Sequence, residues 1–135
     1  MKNNIRLFDC FTAKILGELY AKFPIKQDYE SFNFATESCI TDRGLQKDEE
    51  LEDTVLYTFL FLEENGIISF DKTKAYQNGI FYQCGLTMRG LTLLKKEPKS
   101  VSKNKNIGEI LVEKIKEQGI EKASIGLFGL FEGLL

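Results

Sequence analysis

The pattern of apolar positions near the start of the chain predicts a helix from Asp9 to Lys22. Apolar side chains recur there at intervals of three and four residues, which places them on one helical face. Asp9 is the predicted N-cap, because its carboxylate accepts hydrogen bonds from backbone N–H groups of a first turn. Pro24 ends the helix, because the residue before a proline is disfavoured in the α conformation. The apolar face consists of Phe8, Phe11, Ile15, Leu19 and Phe23.

The segment that follows has a weaker pattern. Lys26 to Ser31 is interpreted as a short helix, and the alternation from Ser31 to Ile40 favours an extended piece before a turn at residues 41–44. Residues 31–46 carry no period strong enough to predict whether they are ordered.

The clearest helix follows Asp48, which is its predicted N-cap, and ends before Gly66. Negative charge in its first turns interacts well with the helix dipole. Its apolar residues form two adjacent stripes, so the helix is expected to be buried on most sides. The stripes are Leu51, Val55, Phe59 and Leu62, and beside them Leu56 and Leu60.

A two-stranded ribbon comes next in the chain. Its first strand begins at Ile67 to Phe70, and Asn78-Gly79 is a strong hairpin signal, because both residues tolerate positive φ. The return strand, residues 80–86, alternates, which predicts that Ile80, Tyr82, Cys84 and Leu86 share one face. Thr87 is then the predicted N-cap of a short helix that ends by Pro98.

This order of helix, ribbon and helix resembles the winged helix-turn-helix of small bacterial proteins. The resemblance is carried by Leu56–Phe70, Asn78-Gly79 and residues 86–91, Leu-Thr-Met-Arg-Gly-Leu. It implies an α+β fold with a winged-helix-like core over residues 1–97: three helices, a β-hairpin wing and a following helix. In that family the third helix usually enters the major groove of DNA and the wing contacts phosphates.

Residues 98–106 are interpreted as a basic linker, and residues 107–135 as a C-terminal helical segment that Gly119 interrupts. Apolar residues recur at helical spacing near the end, which favours a dimerisation helix. The alternative is a membrane-surface helix, although its polar face lacks the lysines and arginines that such helices usually carry. The residues predicted to self-associate are Leu127, Phe128, Leu130, Phe131 and Leu134.

The charge distribution opposes the usual mode of DNA binding. From Lys47 to Glu64 there is one lysine against seven acidic residues, a net charge of −6, and DNA affinity comes largely from neutralising phosphates. Positive charge lies instead in the wing and after Thr87, where it predicts either a phosphate-binding patch or a solvated linker. The possible phosphate contacts are Lys72, Lys74, Arg89, Lys95, Lys96, Lys103 and Lys105.

Composition argues against catalysis. The 135 residues include no histidine, so no histidine-based relay exists, and the chain has neither a phosphate-binding loop nor a dinucleotide fingerprint. Three widely spaced cysteines are expected to be free thiols, because a zinc site needs four ligands and an odd count is poor evidence for a disulfide framework. No cofactor, metal site or catalytic residue is predicted. With neither a signal peptide pattern nor an apolar run long enough to span a membrane, the expected compartment is the cytoplasm.

The sequence therefore predicts a non-enzymatic winged-helix module that acts as a regulatory or adaptor protein, through protein contacts and self-association as a dimer. A DNA-binding transcriptional regulator that uses the wing and the basic linker is the first alternative. A peripheral membrane protein anchored by its C-terminal helix is the second. The partner, any DNA target and the oligomeric state are not contained in the sequence.

Overall fold

The computed structural model describes residues 4–31, 33–34, 49–74, 79–98 and 104–131, and it has an α+β architecture. A small three-stranded antiparallel sheet packs against the helices. The helices are α1 (Asn4–Lys22), α2 (Glu49–Glu64), α3 (Met88–Leu94), α4 (Ile107–Gln118), α5 (Ile120–Ser124) and α6 (Leu127–Leu130). The strands are β1 (Gln27–Glu30), β2 (Ile68–Ser69) and β3 (Ile80–Leu86).

Helix α1 is the centre of the molecule. Every residue from Cys10 to Gly17 is buried, because α2, β3, α4 and α5 all pack against this one helix. The close approach of α4 depends on Gly108: a Cβ there would lie 2.6 Å from the ring of Tyr20. The Tyr20 hydroxyl in turn accepts a hydrogen bond from Asn106 Nδ2 at 3.0 Å, so the start of α4 is fixed against α1.

An aromatic cluster joins the helices to the sheet. Phe59 of α2 stacks on Phe81 of β3 with ring centroids 4.3 Å apart, and Phe34 meets Phe59 edge-on at 5.3 Å. Phe11 of α1 and Tyr29 of β1 also pack against Phe34. Edge-on contacts are a favoured aromatic geometry, and the clustered rings bury large apolar areas.

The strands lie in the order β1-β3-β2, with both pairs antiparallel. Ile68 pairs with Leu86, while the β1–β3 register shifts between Gln27 and Tyr29. At this irregularity Gln83 has a φ of 58°, and its N–H donates to Asp28 Oδ1 at 2.9 Å. A bulge of this kind changes which side chains of a strand face the core.

The bulge accounts for one wrong prediction. Strict alternation put Tyr82 and Cys84 on one face, with Phe81 on the other, but Phe81 and Cys84 are both buried and Tyr82 is half-buried. The extra residue at the bulge shifts the alternation by one position. A prediction from strict alternation along a strand cannot detect this shift.

Two predictions in the first part of the chain are also wrong. Helix α1 begins at Asn4, so Asp9 lies inside the helix and does not cap it. Residues 26–31 do not form a helix over most of their length: Gln27–Glu30 is strand β1, since it completes the sheet against β3. The predicted extended piece and turn after Ser31 fall mostly outside the described residues, as do Asn78 and Asp48.

The junction between β3 and α3 confirms the predicted cap. The Thr87 hydroxyl accepts a hydrogen bond from Gly90 N at 3.0 Å and contacts the carbonyl oxygens of Gly66 and Ile67. A Cβ on Gly90 would lie 2.1 Å from the Ile67 carbonyl oxygen. One close contact, between the start of α3 and the Ile67 carbonyl just before β2, therefore requires both Thr87 and Gly90.

The C-terminal segment is broken into short helices. Gly119, with a φ of 92°, separates α4 from α5 as predicted, and Gly126 separates α5 from α6. Side chains of α4, α5 and the last described residues join the same hydrophobic cluster as α1. The boundaries of the predicted domain, linker and C-terminal segment stay predictions.

The cysteines differ from expectation at one position. Cys10 is disulfide-bonded, so the prediction of a free thiol is wrong there. Cys84 is a free buried thiol, and burial raises its pKa to about 12. Cys39 lies outside the described residues.

Replacing Gly90 with alanine should destabilise the protein by about 2 kcal/mol, because an added Cβ overpacks the contact with the Ile67 carbonyl. The matched control is Gly129→Ala: Gly129 is exposed and a Cβ there would have no neighbour within 4 Å. Its effect should stay within about 1 kcal/mol. Urea unfolding of both variants checks this, and equal effects would contradict it.

Candidate binding surface around Phe8 and Phe61

An apolar groove lies between the first turns of α1 and the outer face of α2. Its exposed side chains are Ile5, Tyr57 and Phe61, whose exposed fractions are 70%, 63% and 50%. The groove has a volume of about 500 Å³, and we call it the outer groove. Among the described residues it is lined by Ile5, Phe8, Asp53, Thr54, Tyr57, Thr58 and Phe61.

The outer groove follows from residue spacing on α2. Asp53, Tyr57 and Phe61 are four residues apart, so they lie one turn after another on the side of α2 that the core does not use. Helix α1 reaches this side because it begins at Asn4, and its Phe8 ring meets Phe61 edge-on with centroids 5.4 Å apart. We call these two rings the aromatic pair.

On the other side of the aromatic pair is a more enclosed cavity of about 360 Å³, the inner cavity. It lies between α1, the end of α2, α3 and Phe131. Ten described residues line it, and most are apolar: Phe8, Thr12, Leu16, Phe61, Leu62, Asn65, Ile67, Arg89, Leu93 and Phe131. The outer groove and the inner cavity therefore share Phe8 and Phe61 as lining residues.

Polar groups in the inner cavity are few. Thr12 is only 1% exposed, and its hydroxyl has no hydrogen-bond partner among the described residues. Arg89 is exposed, and no ion pair between described residues involves it. A buried hydroxyl without a partner is uncommon, because its desolvation is not compensated.

The outer groove lies along the acidic helix α2. Helix α2 contains neither lysine nor arginine from Glu49 to Glu64, and Asp53 lines the groove itself. Glu63 is paired with Lys72, whereas Asp53 and Glu64 are exposed. The groove therefore favours a ligand with apolar groups and positive charge.

Helix α1 carries a second buried polar atom without a hydrogen-bond partner. Among the described residues, Asp9 Oδ1 is buried without a hydrogen-bond partner. Burial raises the pKa of the Asp9 carboxyl above its usual 3.8, and the positive charge of Arg6 partly offsets this. Arg6 itself donates to Glu121 O at 2.9 Å and to the Ser124 hydroxyl, which attaches α5 to α1.

A buried polar network on the opposite part of α1 is structural. The Lys14 ammonium contacts the Glu18 carboxylate and lies 5.3 Å from the centre of the Phe34 ring. The Tyr29 hydroxyl donates to the other oxygen of Glu18 at 2.9 Å. Burial and then the Glu18 charge raise the pKa of Tyr29, so its hydroxyl stays protonated and the network stays paired.

Some of the described residues that are predicted to contact phosphates have partners within the chain. Lys72 pairs with Glu63, Lys105 donates to Glu113 Oε1 at 2.7 Å, and the Lys74 ammonium lies 5.7 Å from the Tyr82 ring centre. The hydrogen bond to Glu113 raises the pKa of Lys105. Arg89, Lys95 and Lys96 are exposed, and Lys103 lies outside the described residues.

The residues predicted to self-associate are only partly described. Leu127 and Phe131 are buried within the single chain, so neither is an exposed contact residue in this conformation. The side chains of Phe128 and Leu130, and the whole of Leu134, lie outside the described part. Self-association through this segment stays a prediction.

Sequence reasoning missed Ile5, Tyr57 and Phe61. The signal was present on α2, because Tyr57 and Phe61 belong to neither of its two predicted buried stripes and are one turn apart. Helix α1 offered no such signal, since its start was placed at Asp9 and Ile5 was outside it.

No group of histidine, cysteine and acidic side chains among the described residues could hold a metal ion. Over the same residues, no helix has the length and apolar character needed to cross a membrane. The chain matches no protein-family model, no curated protein and no solved structure.

Asp9→Asn should stabilise the protein at pH 7. The pKa of Asp9 is raised above its ordinary value of 3.8 in the folded protein, because the buried carboxyl is less costly when it is protonated. Its contribution to the free energy of unfolding is therefore most favourable below about pH 3.8 and falls as pH rises through the folded pKa. The gain should therefore shrink at about pH 3.5, where Asp9 is mostly protonated in both states.

Asp71→Asn is a control that should change the free energy of unfolding in the opposite direction. Hydrogen bonds from Thr73 lower the pKa of Asp71, so this variant should lose stability at pH 7 and lose less at low pH. Urea unfolding at the two pH values checks both variants, and a stability loss at pH 7 for Asp9→Asn would contradict the interpretation.

Proposed function

We propose that this chain is a non-enzymatic, winged-helix-like module that acts as a regulatory or adaptor protein, and that it binds a basic protein segment in the outer groove. The observation that carries the proposal is the outer face of α2, which exposes Tyr57 and Phe61 beside acidic residues. The segment would place apolar side chains between Ile5 and Tyr57, and lysines or arginines near Asp53.

The order of elements supports a winged helix. Among the described elements, α1, β1 and α2 precede the β2–β3 ribbon, and β1 lies beside β3 rather than β2. In a winged helix the helix before the wing, here α2, is the one that regulators of this type place in the major groove. Here that helix presents aromatic and acidic side chains.

The exposed aromatic groups suit a protein partner. Tyrosine and other large aromatic residues are enriched at the energetic centres of protein interfaces, since they bury a large area at a low cost in side-chain entropy. Tyr57 is 63% exposed, so most of its surface is available to a partner. The groove that it lines lets a helix or extended segment insert apolar anchors instead of resting on a flat surface.

Charge complementarity selects among protein partners. The acidic residues of α2 attract a basic segment and repel an acidic one, which affects association rate and specificity more than final affinity. Self-association remains part of the proposal through the C-terminal segment, because residues 107–135 carry the predicted dimer contacts.

Tyr57→Ala should weaken binding of a cationic amphipathic peptide by about tenfold, because it removes an anchor from the outer groove. The probe is a fluorescent peptide of about 18 residues, with leucines on one helical face and lysines on the other. Fluorescence anisotropy at about 50 and 200 mM salt measures affinity and its charge dependence.

The matched control is Met88→Ala, which removes an apolar side chain that is 80% exposed and does not line the groove. Its affinity should equal that of the unmodified protein. A second peptide with glutamates in place of the lysines should bind more weakly. Equal loss in both variants, or no binding of the cationic peptide, would reject the groove as its site.

The same proposal predicts little affinity for DNA. A labelled generic duplex should show no binding at about 50 mM salt, because α2 is acidic and the Lys72 and Lys105 ammonium groups are paired. Steeply salt-dependent binding would instead support a regulator that uses Arg89, Lys95 and Lys96. Loss of that binding in Lys95→Glu/Lys96→Glu would assign the contact.

A further inference from the structure

We propose that a second copy of this chain occupies the outer groove, and that it does so with the turn that joins α1 to β1. This turn is residues 22–26, Lys-Phe-Pro-Ile-Lys, and we call it the basic turn. The inference rests on the proposed function, because it identifies the basic segment that the groove binds as part of another copy of the same protein.

The basic turn has the chemistry that the outer groove favours. Its two large apolar side chains, Phe23 and Ile25, are 44% and 65% exposed. Lys22 and Lys26 stand at its two ends and no acidic residue lies between them, so the turn has a net charge of +2. Both lysines are exposed, and no ion pair between described residues involves either one. The turn therefore presents apolar groups between two positive charges.

Contacts within the chain hold the basic turn in one conformation. Ile25 N donates to the Lys22 carbonyl at 2.8 Å, which closes the turn. The Lys26 side chain lies along Gly85 of β3, where an added Cβ would be 3.3 Å from the Lys26 Cγ. Helix α1 precedes the turn and strand β1 follows it, so both of its ends are anchored. A preorganised segment loses less conformational entropy on binding than a flexible one.

The outer groove supplies a complementary surface. Asp53 lines it, and helix α2 contains neither lysine nor arginine. Its volume of about 500 Å³ lies within the usual range for ligand sites, roughly 300–1,000 Å³. Two apolar side chains of the turn fit a groove of this size, while the lysines on either side of them stay near the acidic residues of α2. Such charge complementarity favours this partner over an acidic one.

Exposed apolar surface is concentrated in the groove and the turn. Among the described residues, seven large apolar side chains are exposed, of which three line the outer groove and two belong to the basic turn. The remaining two, Met88 and Ile125, are far from each other in sequence. Single exposed apolar residues are ordinary, whereas grouped ones mark interaction sites. The turn is therefore the segment that best matches the groove.

The length of α1 keeps the two surfaces apart within one chain. Ile5 and Phe8, near the start of this helix, line the groove, whereas Lys22 is the last residue of the helix. Its 19 residues span about 28 Å at about 1.5 Å per residue. Because the turn is anchored at both ends, it cannot reach the groove of its own chain. Two copies can pair reciprocally, or further copies can add in a chain, since the contact joins two different surfaces.

Sedimentation equilibrium of the full chain tests the inference. The average mass of the unmodified protein should rise with concentration up to about 1 mM, which covers weak affinities. Association should be weaker at about 200 mM salt than at about 50 mM, because charge contributes to the contact. The cationic amphipathic peptide should dissociate the assemblies, because it competes for the outer groove.

Two variants assign the contact to the turn and to the groove. Ile25→Asp should weaken association at least about tenfold, because the acidic groove repels the new charge. Tyr57→Ala should weaken it about tenfold through loss of a groove side chain. The matched control is Ile125→Asp, which changes an exposed isoleucine outside both surfaces and should leave association unchanged. All three positions are more than half exposed, so the variants should fold, and urea unfolding checks this.

An equimolar mixture of the two variants distinguishes this contact from any other. Ile25→Asp keeps an intact groove and Tyr57→Ala keeps an intact turn, so one unmodified contact can form between them. The mixture should therefore associate at least about tenfold more tightly than either variant alone. Contact between two grooves would give no such recovery. Association through residues 107–135 would be unchanged by either substitution.

Three results would overturn the inference: a monomer at all concentrations up to about 1 mM, association that Ile25→Asp leaves unchanged, or no recovery in the mixture. Peptide binding tests the proposed function separately. If the cationic peptide binds the outer groove while the protein stays monomeric, the groove keeps its proposed role and only the contact between copies is rejected. If neither the peptide nor a second copy binds, both proposals are rejected.

Discussion

The burial of α1 on all sides is the constraint on which the rest of the structure depends. Eight consecutive residues, Cys10 to Gly17, are buried, so the helix cannot present one apolar stripe and one solvated stripe like an ordinary surface helix. Each side of α1 needs its own covering element, which α2, the sheet, α4 and α5 supply. Polar groups in this stretch then need internal partners, and Lys14 has one in Glu18.

The same constraint produces the candidate site. Because α1 continues five residues before Asp9, its first turns lie beside the outer face of α2. Phe8 meets Phe61 there, and the outer groove and the inner cavity lie on the two sides of this contact. Arg6 holds the neighbouring side of α1 to α5, so the turn that carries Phe8 is fixed by polar contacts as well as by packing.

Local patterns predicted the elements better than they predicted the surface. The helix at 49–64, the Thr87 cap and the break at Gly119 follow from period and cap chemistry, which act within a few residues. Strand β1 could not be found in this way, because its four residues become a strand only by pairing with β3, far away in sequence. The bulge at Gln83 likewise depends on a contact with Asp28. The inner cavity is formed by residues far apart in sequence, from Phe8 to Phe131.

Folding alone requires neither the exposed aromatic side chains of α2 nor the unpartnered hydroxyl of Thr12. Exposed Tyr57 and Phe61 leave apolar surface in water, and an unpartnered Thr12 hydroxyl loses its hydration without a replacement. The aromatic cluster around Phe59 and the close contact at Gly90 show that the same chain packs tightly elsewhere. Local departures from the pattern that gives stability are expected at sites with a function. Two such departures lie beside one aromatic pair, and the proposal of binding at this face rests on them.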